Sequence, residues 1–305
     1  MSKEGVSICI TAYKAQDYIK ECLDSVIKQT WFYDNDNFEI IVGIDGCETT
    51  LEYMKTIMHN YKNIKVLMMD SNRGTYITSN TIMSNAKYEN IFRFDSDDIM
   101  CANLVETVMN KKGDCKLVRY HLKDFGDDKN EIAVAHGTIY IKKSIFLKYG
   151  GFRPWPCGAD TELYCRLKSV ESVKNLKEIL MLRRVHDSSL TRSKNTGYKS
   201  ELRKRYKKII KDMVISKPAD AMIKMIVNTY HEVFSQSDNQ DNANEYMKNL
   251  KPGNIINEVA PNPVHTPKKV VPAKVNPIVK LREDIQAGRV VKVPTVNGFV
   301  WRRVK

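Results

Sequence analysis

Asp95, Ser96, Asp97 and Asp98 stand together directly after the apolar run Asn90 to Phe94. Carboxylates crowded at the end of a buried strand repel one another unless a cation or hydrogen-bond donors neutralise them. A divalent ion does so. Mg²⁺ or Mn²⁺ held by one or two carboxylates keeps positions open for diphosphate oxygens. It would also offset the charge that builds on a leaving nucleoside diphosphate. The same residues suit a solvated acidic loop, or an N-cap in which Asp98 opens a helix near Ala102. Trp155, between Pro154 and Pro156, can stack on a sugar or a splayed base, or pack in the core. Cys157 beside it has no histidine partner in sequence and reads as packing.

The elements that position these residues follow from spacing. Val6 to Ile10 reads as a strand and Asp17 to Gln29 as a helix. Phe38 to Ile44 ends in Asp45-Gly46-Cys47 before a helix from Thr50 to about Tyr61. Ile64 to Met69 leads through Asn72-Arg73-Gly74 into a helix from Thr75 to about Ala86, and Asn90 to Phe94 runs into Asp95. Strands apolar throughout, alternating with helices, predict an α/β domain with a mostly parallel sheet. Ligands collect at the carboxyl ends of such strands, where Asp45 and Asp95 fall. Farther on, Lys116 to Leu122 and Ile132 to Tyr140 read as strands, and Lys142 to Tyr149 as a helix closed by Gly150-Gly151. Tyr198 to Ser235 reads as two amphipathic helices broken near Lys217-Pro218. Six of the ten prolines lie between Lys251 and Pro277, as in an extended linker. A helix, Ile278 to Ala287, and a hairpin of Arg289 to Val293 with Phe299 to Val304 would close the chain.

With 305 residues, 42% of them hydrophobic, the chain can bury one core of roughly 200 residues and still carry an appendage. Seven cysteines without a CxxC pair indicate neither a disulfide framework nor a structural zinc site, which points to a reducing cytoplasm, that of a host if the protein is viral. No apolar stretch approaches the roughly 18 residues of a membrane span, so no integral membrane contact is expected. Residues 1–180 carry 24 Lys and Arg against 25 Asp and Glu, whereas 181–305 carry 25 against 11, so the net charge of +13 resides in the C-terminal part. Clustered cations of this kind favour a polyanionic partner, nucleic acid ahead of anionic membrane, and otherwise read as a basic tail that serves solubility alone.

The sequence resembles the family 2 glycosyltransferases over about residues 5 to 192. Val6 to Tyr13 is similar to the family's first strand and Leu23 to Thr30 to its first helix. Ile41 to Cys47 resembles the strand ending in Asp-Asp-Gly-Ser, and Asn72-Arg73-Gly74 with Asn80 its Asn-x-Gly and Arg-Asn segment. Phe94 to Asp98 matches Asp-x-Asp-Asp, Tyr149 to Phe152 with Ala159 to Leu163 the acceptor-side motif, and Arg184 to Ser188 the closing Arg-x-His-x-x-Ser. The resemblance implies a GT-A fold, an inverting transfer and a nucleoside-diphosphate sugar as donor, a UDP-sugar first. It implies that Thr11, Tyr13 and Asp45 line base and ribose, that Asp95 with Ser96 lies on the ribose and phosphate side, and that Asp97 binds Mn²⁺ or Mg²⁺. His186 would approach the metal or diphosphate, and otherwise reads as a surface histidine. Asp160 would be the general base toward an acceptor hydroxyl, a role compatible with capping a helix. Ile44, Ala12, Ser79 and Ala159 stand where the family has an acid, a proline, an arginine and an acid. Arg73 could supply the missing positive charge near the diphosphate, or be solvated. No Gln-x-x-Arg-Trp sequence of a processive synthase occurs.

For the acceptor, Arg203, Lys204 and Arg205, with Arg302 and Arg303 beside Trp301, mix cations and aromatics as phosphate-tracking surfaces do. With Trp155 they point to a hydroxyl on DNA, such as a 5-hydroxymethylated pyrimidine flipped from the duplex, as in phage-type DNA-modifying glycosyltransferases. A bacterial surface polysaccharide or lipid-linked sugar is the competing acceptor. A non-catalytic nucleic-acid-binding protein would explain the basic tail but not the acidic residues, and a HAD-type phosphatase would carry its Asp-x-Asp near the N-terminus. The expected organisation is a GT-A domain over 1–197, a helical extension over 198–250, a Pro-rich linker over 251–277 and a basic helix-hairpin unit over 278–305.

Overall fold

Strands without a polar face need cover on both sides. Val6–Ala12 (β1), Phe38–Ile44 (β2), Ile64–Met69 (β3) and Asn90–Asp95 (β4) are buried along nearly their whole length, and they pair in parallel in the order β3-β2-β1-β4. This computed structural model describes residues 4–215 apart from 34, 127–131, 136 and 188, then 224–235, and the backbone of 290–295 and 298–303. Three helices follow β1, β2 and β3 in turn. Ile19–Ile27 (α1) and Glu48–Ile57 (α2) each bury one apolar stripe, Cys22, Leu23 and Val26 in the first and Leu51 and Met54 in the second. Thr75–Ser84 (α3) differs, because it buries Thr78, Ser79, Asn80 and Thr81 alongside Ile82 and Met83. Polar groups hidden in this way need partners, and Ser79 and Asn80 find theirs in Arg93 and Phe152.

Beyond β4 the sheet becomes largely antiparallel. Ile99–Met100 (β5), the helix Leu104–Lys111 (α4), Leu117–Phe125 (β6), Ile132–Val134 (β7), Ile139–Lys142 (β8), the helices Lys143–Lys148 (α5) and Ala159–Lys168 (α6), and Val173–Arg184 (β9) follow in order. Strand β8 runs antiparallel to β4 and β6, β9 parallel to β6, and β5 antiparallel to β9. The single strand expected over Ile132 to Tyr140 is two, β7 and β8, each paired with β6. Asp98 does not cap a helix, since it precedes β5 and α4 opens only after Asn103.

The C-terminal region corrects a second expectation. Glu201–Ile215 (α7) is the first of the two helices, but Tyr230–Ser235 (β10) is a strand, antiparallel to the edge strand β3. Val233 and Phe234 pack on the core from there. Aromatic and β-branched residues suit a strand, and the unpaired backbone of β3 offers the partner that makes this segment extended rather than helical.

Two compact units divide the chain, 1–258 and 259–305. In the second, Val290–Thr295 (β11) and Gly298–Arg303 (β12) form the expected antiparallel hairpin, with Thr295 opposite Gly298. The Pro-rich linker and the helix Ile278 to Ala287 lie outside the described residues. Among the described residues no helix is long and apolar enough to cross a membrane.

Candidate functional site

A charged residue inside an apolar strand must bring its partners with it. Arg93 on β4 is 2% exposed and forms a double ion pair with Asp95, Nη1 to Oδ2 at 2.8 Å and Nη2 to Oδ1 at 2.6 Å. It also donates to Thr75 Oγ1 at 2.7 Å, Thr11 Oγ1 at 3.2 Å, Ser79 Oγ at 3.2 Å and the Gly137 carbonyl at 3.0 Å. On α3 this one guanidinium meets Thr75 and Ser79. Asp95 is held with one orientation at the carboxyl end of β4.

The next carboxylates face the end of β9. Asp97 Oδ2 lies 2.9 Å from His186 Nε2, and the Asp97 carbonyl accepts from Arg184 Nε at 3.0 Å. Asp98 Oδ1 accepts the Arg184 backbone N–H at 2.9 Å, while burial and the charges of Asp97 and Asp95 push the Asp98 carboxyl well above its usual range. Arg184 also pairs with Glu21 on α1. This single arginine therefore ties the acidic loop to both β9 and α1. Ser96 is buried between the aspartates.

Asp160 occupies the first turn of α6, after Gly158 at φ +80°. Its Oδ1 accepts the Tyr76 hydroxyl at 2.9 Å. Burial, then the charge of Asp160, pushes that phenol well above its usual range, so it remains a donor. A β-carbon placed on Gly137 would stand 3.6 Å from Asp95 Oδ2 and 3.7 Å from Asp160 Oδ2. The two carboxylates face one space. The loop before α6 is fixed from two sides. Asn80 receives Phe152 N–H on Oδ1 and gives Nδ2 to the Phe152 carbonyl, both at 2.9 Å, and the buried Arg166 pairs with Glu162 and donates to the Tyr149 and Gly151 carbonyls.

Among the described residues, Asp95, Asp97, Asp98, Asp160, Arg184 and Arg203 are part of the lining of one cleft of about 590 Å³, along with Thr75, Tyr76, Arg93 and Gly137. Asp45 is buried outside that lining, with Oδ1 and Oδ2 accepting the Arg73 and Gly74 backbone N–H groups at 2.9 Å each. The Arg73 side chain is exposed, with Nε donating to Ser71 Oγ at 3.1 Å. Tyr13 is 48% exposed at the mouth of β1. Trp155 lies face to face on Tyr206 of α7, centroids 4.3 Å apart and planes 7° from parallel. Its face toward α7 is thus used for packing. Lys204 and Arg205 are exposed on α7, and Arg302 and Arg303 belong to β12 in the second unit.

Of the residues singled out in the sequence, Asp95, Asp97 and Asp160 line the same cleft and His186 adjoins Asp97, while Arg93, Tyr76 and Gly137, which also line it, carried no motif. A signal existed for Arg93, because Ile91-Phe92-Arg93-Phe94 puts a charge where only a partnered one survives. Tyr76 and Gly137 gave none, since a tyrosine in a helix and a glycine in a loop are ordinary. The described residues hold no group of three or more His, Cys, Asp or Glu set for a metal. Asp97 with His186 nonetheless fits a site of the kind in which one carboxylate, an imidazole and substrate phosphates share the ion.

The family model described as Glycosyl transferase family 2 matches residues 7–159. A glycosyltransferase of Streptococcus pneumoniae serotype 4 is 31% identical over 129 residues, covering 41% of this chain and 42% of its own. The chondroitin synthase of Pasteurella multocida is 27% identical over 203 residues, 59% of this chain and 20% of that protein. The chain thus spans less than half the length of these relatives. Among solved structures, S. aureus TarS with UDP-GlcNAc superimposes with a TM-score of 0.54 at 15% identity, covering 61% of this chain and 60% of the other. That likeness is one of fold, and the fold is GT-A.

Proposed function

Because the chain belongs to glycosyl transferase family 2, we propose that it transfers a sugar from a nucleoside diphosphate to an acceptor hydroxyl in one inverting displacement, with Asp160 as base. The observation that carries this reading is that Asp95 and Asp160 face one space beside Gly137, with Asp97 and His186 adjoining in the same region. Asp160 Oδ1 is occupied by Tyr76, and Oδ2 is the atom directed toward the space beside Gly137 where an acceptor hydroxyl would enter. Such a carboxylate takes the acceptor proton as the oxygen attacks the anomeric carbon. Asp97 and His186 would hold Mn²⁺ or Mg²⁺, which when bound supplies positive charge to the departing diphosphate. Asp95, fixed by Arg93, serves the ribose and phosphate side. Asp45 acts through the loop it clamps, Arg73-Gly74, rather than through a free carboxylate.

For the acceptor we favour a hydroxyl on DNA, such as a hydroxymethylated pyrimidine. Support comes from the charge confined to 181–305 and from the exposed Lys204, Arg205, Lys207 and Lys208 on α7, next to Arg203 in the cleft. The stacking of Trp155 on Tyr206 takes one face of that ring away from a flipped base. A glycan or polyol phosphate acceptor is the second reading, favoured by relatives such as the chondroitin synthase. Incubation with a panel of UDP- and GDP-sugars and Mn²⁺ or Mg²⁺, with and without hydroxymethylated duplex DNA, tests both parts. Nucleoside diphosphate release in the absence of any acceptor supports the transferase reading, a mass increase on the DNA supports the first acceptor, and transfer only to glycan acceptors overturns it.

A further inference from the structure

A buried arginine that serves packing alone is a poor solution, because apolar residues of similar volume usually do as well or better. Among the described residues three arginines are buried, Arg93, Arg119 and Arg166, and Arg119 is accounted for by its bond to Asn175 and its packing on the Tyr164 ring. Arg166 is explained by the loop it staples to α6. Arg93 has no comparable loop to hold apart from the Gly137 carbonyl, and its strongest contact is the double pair with Asp95. Its Nε reaches Ser79 Oγ on the buried face of α3, at the position where resemblance to the family leads one to expect an arginine. Serine there is small and leaves room for a guanidinium that comes from the adjacent strand.

We propose that Arg93 is a positioning residue of the donor site, supplying from β4 the charge that α3 lacks at Ser79. The inference rests on the transferase reading above. The planar fork fixes both oxygens of Asp95 at once while Thr11 and Thr75 hold its other edge, so the carboxylate presents one geometry to a nucleotide. Through Gly137 the same group sets the distance between the wall of the cleft and the two carboxylates. Lysine in its place keeps the charge but cannot form the fork. An arginine at 79 can approach the same point from the other side.

The experiment compares the native chain with Arg93→Lys, Arg93→Leu and the relocated pair Arg93→Leu/Ser79→Arg. Binding of UDP and of GDP in Mn²⁺ is measured by titration calorimetry, with melting curves to fix the folded fraction. A lost charged hydrogen-bond set predicts nucleotide binding weakened about tenfold or more in Arg93→Leu, and less in Arg93→Lys. Recovery of most of that loss is expected in the relocated pair. If Arg93→Leu does not fold, the lysine variant and the relocated pair carry the comparison. Native-like affinity in both Arg93→Lys and Arg93→Leu, or in Arg93→Lys alone with no recovery in the relocated pair, overturns the proposal and leaves the transferase reading intact. Failure of the native chain to bind either nucleotide overturns both.

Discussion

Tyr76 of α3 gives its hydroxyl to Asp160 of α6 across a gap of 84 residues in sequence, at 2.9 Å. Two elements that share no motif thus agree on the orientation of one carboxylate. Removing the donor in Tyr76→Phe leaves Asp160 free to rotate. Transfer is expected to slow by about tenfold, as for one lost hydrogen bond to a charged group, while the donor KM stays within about twofold. Steady-state kinetics on the sugar nucleotide that proves active checks this split between kcat and KM.

Asp97 and His186 predict metal dependence. Chelation with EDTA should abolish transfer reversibly, and added Mn²⁺ or Mg²⁺ should restore it in the native chain. In Asp97→Ala restoration should fail at metal concentrations saturating for the native enzyme. Full activity of the native chain in EDTA would remove the role assigned to this pair.

Gly46 follows Asp45 at φ +61°, and a β-carbon there would lie 2.3 Å from the Asn72 nitrogen. The left-handed conformation alone costs other residues about 1–2 kcal/mol, and the clash adds to it. Gly46→Ala is therefore expected to lower stability by more than about 2 kcal/mol in urea titration. It should also disturb the Asp45 clamp on Arg73 and Gly74, so donor binding should weaken in the folded fraction.

Cys47 gives a pH prediction. Burial pushes its thiol up, but hydrogen bonds from Thr49, Thr50 and the Lys14 backbone N–H outweigh burial and bring it down to about 7. An ordinary cysteine titrates near 8.5. Alkylation of Cys47 by iodoacetamide, followed by peptide mass spectrometry, should rise through a midpoint near pH 7, slowly because the side chain is 6% exposed. A midpoint near 8.5 would show that these hydrogen bonds do not hold the thiolate.

The parallel half of the sheet was readable because β1 to β4 are apolar at nearly every position and each ends in a turn or an acid. Strand β9 was not, since Lys174, Lys177 and Glu178 interrupt the apolar positions Leu176, Leu180 and Met181, and only pairing with β6 and β5 makes it a strand. Residues 230–235 read as helix because spacing alone cannot sense an open sheet edge elsewhere in the chain. The site divides in the same way. Asp95, Asp97, Asp160 and His186 carry motifs, whereas Tyr76, Arg93 and Gly137 acquire meaning only from what the fold sets against them. Asp45 shows the converse, a motif residue whose carboxylate is occupied by the backbone of the loop between β3 and α3.

Asp160 is the residue assigned to remove the acceptor proton. Asp160→Asn keeps the size of the side chain and abolishes the base, so transfer should fall by about 10²- to 10⁴-fold while the affinity for the donor nucleotide in Mn²⁺ stays within about twofold of native. Transfer at an undiminished rate in Asp160→Asn would contradict the account.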